Sequence, residues 1–142
     1  MNARKKVLIL CTGNSCRSQM AEGWVNHEFA GTWEARSAGT KPAAGVHPLA
    51  VRAMAEVGVD ISGGQPQIVD TYLNDSWDLV VTVCDSARES CPVFPRPVET
   101  IHISFPDPAE ATGSEDEVME VFRKVRDLIS DSFLPEIRAR SV

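Results

Sequence analysis

The sequence predicts an α/β domain built on a four-stranded parallel sheet flanked by helices. Three observations predict it. Short apolar runs at Val7 to Leu10 and Leu79 to Val83 read as strands buried on both faces, stripes at helical spacing lie between and after the runs, and glycine or proline marks most of the junctions. The 142 residues, 43% of them hydrophobic, suffice for one core without staples, so residues 1–142 are read as a single domain.

Lys5-Lys6 leads into Val7 to Leu10, the first strand. A turn-like Thr12-Gly13-Asn14-Ser15 follows, and Met20, Ala21, Trp24 and Val25 then share a helical face between Ser18 and about Phe29. Trp33 to Ala38 alternates ahead of Gly39, as expected of a strand nearer the sheet edge. Pro42 and Gly45 mark a loop. Pro48 opens a second helix with Ala50, Ala53, Met54 and Val57 on one face, and Gly58 supplies a left-handed stop. Pro66 to Leu73 has room for a short helix, and Leu79 to Val83 is a second central strand ending at Cys84. A polar, proline-rich loop from Asp85 to Pro97 precedes a last short strand, Glu99 to Ile103. Ser114 and Glu117 form a capping box for a closing helix whose stripe, Val118, Val121, Phe122, Val125, Leu128 and Ile129, extends to about Ser132. In such a sheet ligands bind beyond the carboxyl ends of the strands, where Cys11 and Cys84 both fall.

A net charge of −6 excludes a broad nucleic-acid footprint, which needs a basic face, so any anion site is local. No apolar run is long enough to cross a bilayer and no leader pattern precedes the first strand, which predicts a cytoplasmic protein with no membrane partner. Cys11, Cys16, Cys84 and Cys91 admit three readings, as staples, as a metal cage or as redox groups. The missing secretory signal disfavours staples. The spacing of the cysteine pairs and the lack of a histidine at ligand spacing disfavour zinc, and no metal is expected.

The segment Cys11-Thr12-Gly13-Asn14-Ser15-Cys16-Arg17-Ser18 joins a strand to a helix, so its amides can turn inward around a tetrahedral oxyanion at a helix N-terminus. Gly13 gives the backbone room to curl. Arg17 can fork two donors onto the same anion, and with the Ser18 hydroxyl its field favours the thiolate of Cys11, the attacking species. Residues 11–18 thus form a candidate cradle for phosphate or arsenate, with Cys16 carrying no necessary side-chain role.

Cys11 and Arg17, separated by five residues and followed by Ser18, make a signature similar to that of the low-molecular-weight tyrosine phosphatases. The resemblance implies their fold, which agrees with the element order read above. In that superfamily a late aspartate followed by proline protonates the leaving group, and Phe105-Pro106-Asp107-Pro108-Ala109 matches it. The resemblance makes Asp107 the general acid, although a helix-capping or turn aspartate fits the same local sequence. These features do not choose between phosphatase and reductase.

The discriminating residue is a second cysteine. A thiolate can only transfer phosphate, because phosphorus(V) is not readily reduced, whereas a thiol–arsenate adduct releases arsenite if another thiolate attacks its sulfur. Cys84 ends the strand beside the first and is the candidate attacker, leaving a Cys11–Cys84 disulfide. Cys91 can then attack Cys84 and move the disulfide toward the surface. The segment Val80-Val81-Thr82-Val83-Cys84-Asp85-Ser86-Ala87, with Cys91-Pro92 downstream, resembles the redox segment of thioredoxin-coupled arsenate reductases. That resemblance spans nearly the whole domain. It implies catalytic Cys11, Arg17, Cys84, Cys91 and Asp107, a role in arsenical resistance, arsenate as substrate with phosphate or sulfate as analogues, thioredoxin as electron donor, and no bound cofactor.

Two departures stand out. Some members of that family bind potassium through Asn, Ser, Thr and Asp oxygens; Asn14 and Ser37 match, but Gln65 and Gln67 hold the Thr and Asp positions. The aromatic cleft walls of the tyrosine phosphatases are also missing, since Ala109-Glu110-Ala111 follows Asp107-Pro108 and the only tyrosine is Tyr72. His27, His47 and His102 read as surface or packing residues.

Overall fold

The computed structural model describes residues 4–89, 91 and 93–141. Strands β1 (Lys5–Cys11), β2 (Trp33–Gly39), β3 (Leu79–Thr82) and β4 (Glu99–His102) form one parallel sheet in the order β2-β1-β3-β4. Val7 to Leu10 and Leu79 to Val81 are fully buried, which is why β1 and β3 take the centre, while Glu99 and Thr100 are exposed on the β4 edge. The register sets Cys11 opposite Gly39, and Leu10 opposite Ala38 on one side and Thr82 on the other. The chain therefore leaves both central strands at the same end of the sheet.

Around the sheet lie α1 (Arg17–Glu28), α2 (Pro48–Ala55), α3 (Asp85–Glu89) and α4 (Glu115–Ala139), with 3-10 turns at Val69–Tyr72 and Pro108–Glu110. The fold class is the one the sequence predicts. α1 packs on β2 and α4, and α2 also packs on α4. At Gly23 a Cβ would come within 2.5 Å of Ile61 Cγ2, so the missing side chain is what lets the Ile61 segment pack closely against α1. The Trp24 indole donates to the Arg126 carbonyl at 3.1 Å, pinning α1 to α4. The capping box at Ser114 and Glu117 is formed in both directions.

Five local expectations change. α4 runs past Ser132 to Ala139, straight through Pro135. A proline in a helix interior costs about 3 kcal/mol, but Phe133, Leu134 and Ile137 are all buried beside it, at about 2 kcal/mol each. Burial wins, and the helix continues. Leu128, counted in the buried stripe, is 41% exposed. α2 ends at Ala55 and reaches Gly58, whose φ is +81°, through a turn. His47 caps α2, its Nδ1 accepting from the Leu49 N–H at 3.1 Å, rather than merely packing.

The fifth change bears on the chemistry. The stretch after Cys84 begins as helix α3, not as loop, because Cys84 itself starts the turn: its carbonyl accepts from Arg88 N at 3.2 Å and its sulfur from Ala87 N at 3.4 Å. Asp85 then sits in the first turn, where a carboxylate is favoured. Ser90 and Pro92, read as loop residues flanking Cys91, lie outside the described residues.

Candidate active site

β1 delivers Cys11 to the carboxyl end of the sheet, and the next five residues turn back to start α1 at Arg17. Cys11 is almost fully buried. Its sulfur accepts the Asn14 N–H at 3.2 Å and lies 2.9 Å from Ser18 Oγ, so a backbone amide and a hydroxyl both address it. The Ser18 hydroxyl is oriented in turn by Asn14 Nδ2 at 2.7 Å.

Asn14 is the keystone of this turn. It takes the left-handed backbone conformation, φ +52°, that asparagine tolerates better than most side chains. Its Oδ1 accepts from Gln67 N at 2.9 Å and its carbonyl from Gln19 Nε2 at 3.1 Å. β2 makes room for the turn by ending in Gly39: a Cβ there would come within 2.4 Å of the Thr12 carbonyl oxygen and 3.1 Å of Asn14 N. Gly39 is a site-building residue that the sequence reading treated only as a strand end.

Across the loop opens a small pocket lined by Cys11, Gly13, Ser15, Cys16, Arg17, Asp107 and Ala109. The side chains of Thr12, Asn14 and Ser18, expected around the anion, are not part of that lining; they serve the loop from behind. Arg17 Nη1 donates to the Phe105 carbonyl at 3.2 Å, and its Nη2 lies 3.6 Å from Asp107 Oδ2. The Asp107 segment is itself tied to the sheet, through Phe105 N to the Val83 carbonyl at 3.1 Å. Asp107 also caps the turn that follows, its Oδ1 accepting from Ala109 N at 3.0 Å. The two sequence readings of Asp107 thus coexist: one oxygen caps while the other faces Arg17 and the pocket.

The four cysteines divide by environment. Cys84 is buried, and its sulfur lies 3.3 Å from Thr12 Oγ1, one residue from Cys11. Cys16 is buried in the pocket wall, where burial, reinforced by the negative charge of Asp107, pushes its thiol up to about 12. A thiol that stays protonated is a poor nucleophile. Cys91 is half-buried against the core, and burial raises its pKa as well. No disulfide links the four.

The cation donors known from the resemblance are a poor set here. Asn14 Oδ1 is committed to Gln67 N–H, and Gln65 and Gln67 bring no carboxylate. The buried Ser37 hydroxyl makes no hydrogen bond of good geometry. Glu22 lies near enough for Ser37 to temper a carboxyl pKa that burial raises. Among the described residues no cluster of three or more His, Cys, Asp or Glu is arranged to hold a metal.

Comparison with known proteins bears on this geometry. The family model of the low molecular weight phosphotyrosine protein phosphatases matches residues 6–136. A protein named arsenate reductase from Halalkalibacterium halodurans is 48% identical over 126 residues, 89% of this chain and 90% of its own length. A solved arsenate reductase in the phosphate binding state superposes with a TM-score of 0.70 at 31% identity, covering 97% of this chain and 99% of the other. A low molecular weight protein tyrosine phosphatase from T. tengcongensis gives a TM-score of 0.72 at 28% identity, covering 89% and 93%. With the family model matching residues 6–136, this chain belongs to the low molecular weight phosphotyrosine protein phosphatase family, and relatives 47–48% identical to it carry the name arsenate reductase.

Proposed function

We propose that this chain is a cytoplasmic arsenate reductase that draws its electrons from thioredoxin. The Cys11 thiolate attacks arsenic(V), and Asp107 protonates the departing oxygen, which leaves as water. The Cys84 thiolate then attacks the Cys11 sulfur. The electron pair of the sulfur–arsenic bond stays with arsenic, which departs as arsenite, reduced by two electrons, while a Cys11–Cys84 disulfide forms. The Cys91 thiolate attacks Cys84 and releases Cys11 as a thiolate, and the dithiol of thioredoxin reduces the Cys84–Cys91 disulfide.

The observation that carries this reading is the position of Cys84. A second buried thiol whose sulfur is 3.3 Å from the side chain of the residue after Cys11 has no task in phosphate hydrolysis. The pocket, about 70 Å³, suits a small tetrahedral anion, since one water-sized sphere takes roughly 10–15 Å³. Among the described residues, none in its lining is aromatic and able to stack on a phenyl ring. Arg17 supplies the bidentate donor for the anion.

The test is NADPH consumption with thioredoxin and thioredoxin reductase on addition of arsenate. The wild type turns over repeatedly, and Cys11→Ser, Cys84→Ser and Cys91→Ser each stop multiple turnover. Sustained turnover by Cys84→Ser overturns the reading. Running the assay with glutaredoxin plus glutathione, or with mycothiol, in place of thioredoxin identifies the reductant. The second reading is a phosphatase, favoured by the Cys11, Arg17 and Asp107 set. It requires efficient hydrolysis of an aryl phosphate with no dependence on Cys84 or Cys91.

A further inference from the structure

One histidine stands directly behind the redox segment. His102, the last residue of β4, spans two elements: its Nδ1 is 2.7 Å from Thr82 Oγ1 at the end of β3, and its Nε2 is 3.0 Å from Asp85 Oδ1 at the start of α3. Thr82 and Asp85 bracket Cys84 in sequence. When the Thr82 hydroxyl donates to Nδ1, the proton belongs on Nε2, where it points at the carboxylate. The imidazole thereby fastens both neighbours of the Val83-Cys84 peptide to the edge strand. Thr82 and His102 are paired opposite each other in the sheet, so the strand end of this fastening is rigid. Its helix end, Asp85, is three-quarters exposed and free to leave.

We propose that His102 is a positioning residue for Cys84, clamping the first turn of α3 in the dithiol form and releasing it in the Cys84–Cys91 disulfide. The inference rests on the Cys84–Cys91 exchange proposed above. A helix advances about 1.5 Å per residue, so the five residues of α3 end roughly 7 Å along its axis from Cys84. A disulfide needs its two Cα atoms about 4.4–6.8 Å apart. The turn that Cys84 begins through Ala87 and Arg88 is therefore the part that gives way on oxidation, and Asp85 goes with it. The clamp belongs to one redox state only, so it favours the dithiol. It returns Cys84 to its seat beside Thr12 after each reduction.

The test is the Cys84–Cys91 equilibrium in mixtures of reduced and oxidised dithiothreitol at pH 7, without arsenate. In it two protein thiols give up two electrons and two protons while oxidised dithiothreitol becomes its dithiol. His102→Ala is expected to shift the equilibrium about tenfold toward the disulfide, a midpoint about 30 mV more negative. Asp85→Ala, at an exposed side chain that the fold tolerates, removes the acceptor of the Nε2–H, shifts it in the same direction and decides the matter even if the histidine variant folds poorly. The double variant shifts no further than the larger single one. Unchanged equilibria in both single variants overturn the clamp, as does an equal shift in Glu89→Gln, which removes a charge from the same helix without touching His102. Failure of the wild type to form a Cys84–Cys91 disulfide overturns instead the proposed reaction sequence.

Discussion

Thr12 Oγ1 and Cys84 Sγ lie 3.3 Å apart, a contact that crosses from the oxyanion loop on β1 to the end of β3. A net hydrogen bond is worth roughly 0.5–1.5 kcal/mol. Thr12→Val, which keeps the shape and removes the hydroxyl, is expected to lower arsenate turnover about tenfold and leave aryl phosphate hydrolysis unaltered. Thr12→Ser restores the wild-type rate. Equal losses in both activities would show that the hydroxyl supports the loop, not the second thiol.

Gly39→Ala is expected to abolish most of the activity while sparing the rest of the fold. The added methyl meets the backbone oxygen of Thr12 at 2.4 Å, and a backbone atom cannot step aside as a flexible side chain can. The checks are kcat/KM for arsenate and the thermal melt. A variant with wild-type kcat/KM would mean that the loop relaxes at no cost.

Asp107→Asn keeps the cap on Ala109 and removes the transferable proton, so kcat falls by about 10²–10⁴-fold with KM little changed. Arg17→Lys retains the charge and loses the fork, and is expected mainly to raise KM for arsenate. A kcat untouched in Asp107→Asn would remove it from the role of acid.

How far the sequence could be read follows from what each element depends on. β1, α1 and the loop between them are legible because their patterns are local: an unbroken apolar run, a 3.6-residue stripe, and a cysteine and arginine at fixed separation. The length of α4 is not, because its continuation past Pro135 depends on what Phe133, Leu134 and Ile137 meet in the folded core. Helix α3 is hidden because five residues are too few to show a stripe, and its first turn is closed by the Cys84 sulfur and carbonyl. Gly39 and His102 escape a linear reading altogether. Their partners, Thr12 for one and Thr82 with Asp85 for the other, are neighbours only across the sheet.

Away from the site, Glu56 joins α2 to α4 by accepting from Arg123 and Arg126, and the Arg123 hydrogen bond is the chief cause of its carboxyl pKa falling to about 2. A carboxylate held below its ordinary value of 4.5 contributes stability that is present above that value and lost as pH falls toward 2. The wild-type melting temperature should therefore fall more steeply than that of Glu56→Gln between pH 4.5 and 2. Parallel curves would assign the acid sensitivity elsewhere.

Cys16 provides a test by chemical labelling. With its thiol pushed up to about 12, it stays protonated and is expected to remain unmodified when the native protein is treated with iodoacetamide at pH 8, while the urea-unfolded chain is labelled at all four cysteines. Peptide mass spectrometry reads the result. Native labelling of Cys16 at the rate of a free thiol contradicts this environment.

The pairing of Leu10 with Thr82 also has a genetic consequence. Side chains along a strand alternate between faces, so deleting one residue between Leu79 and Cys84 would point the second thiol away from Thr12 while leaving the oxyanion loop untouched. Under the proposed reaction the reach of the second thiol is a matter of parity, an odd or even count along one strand, and the loss of a single codon would break it.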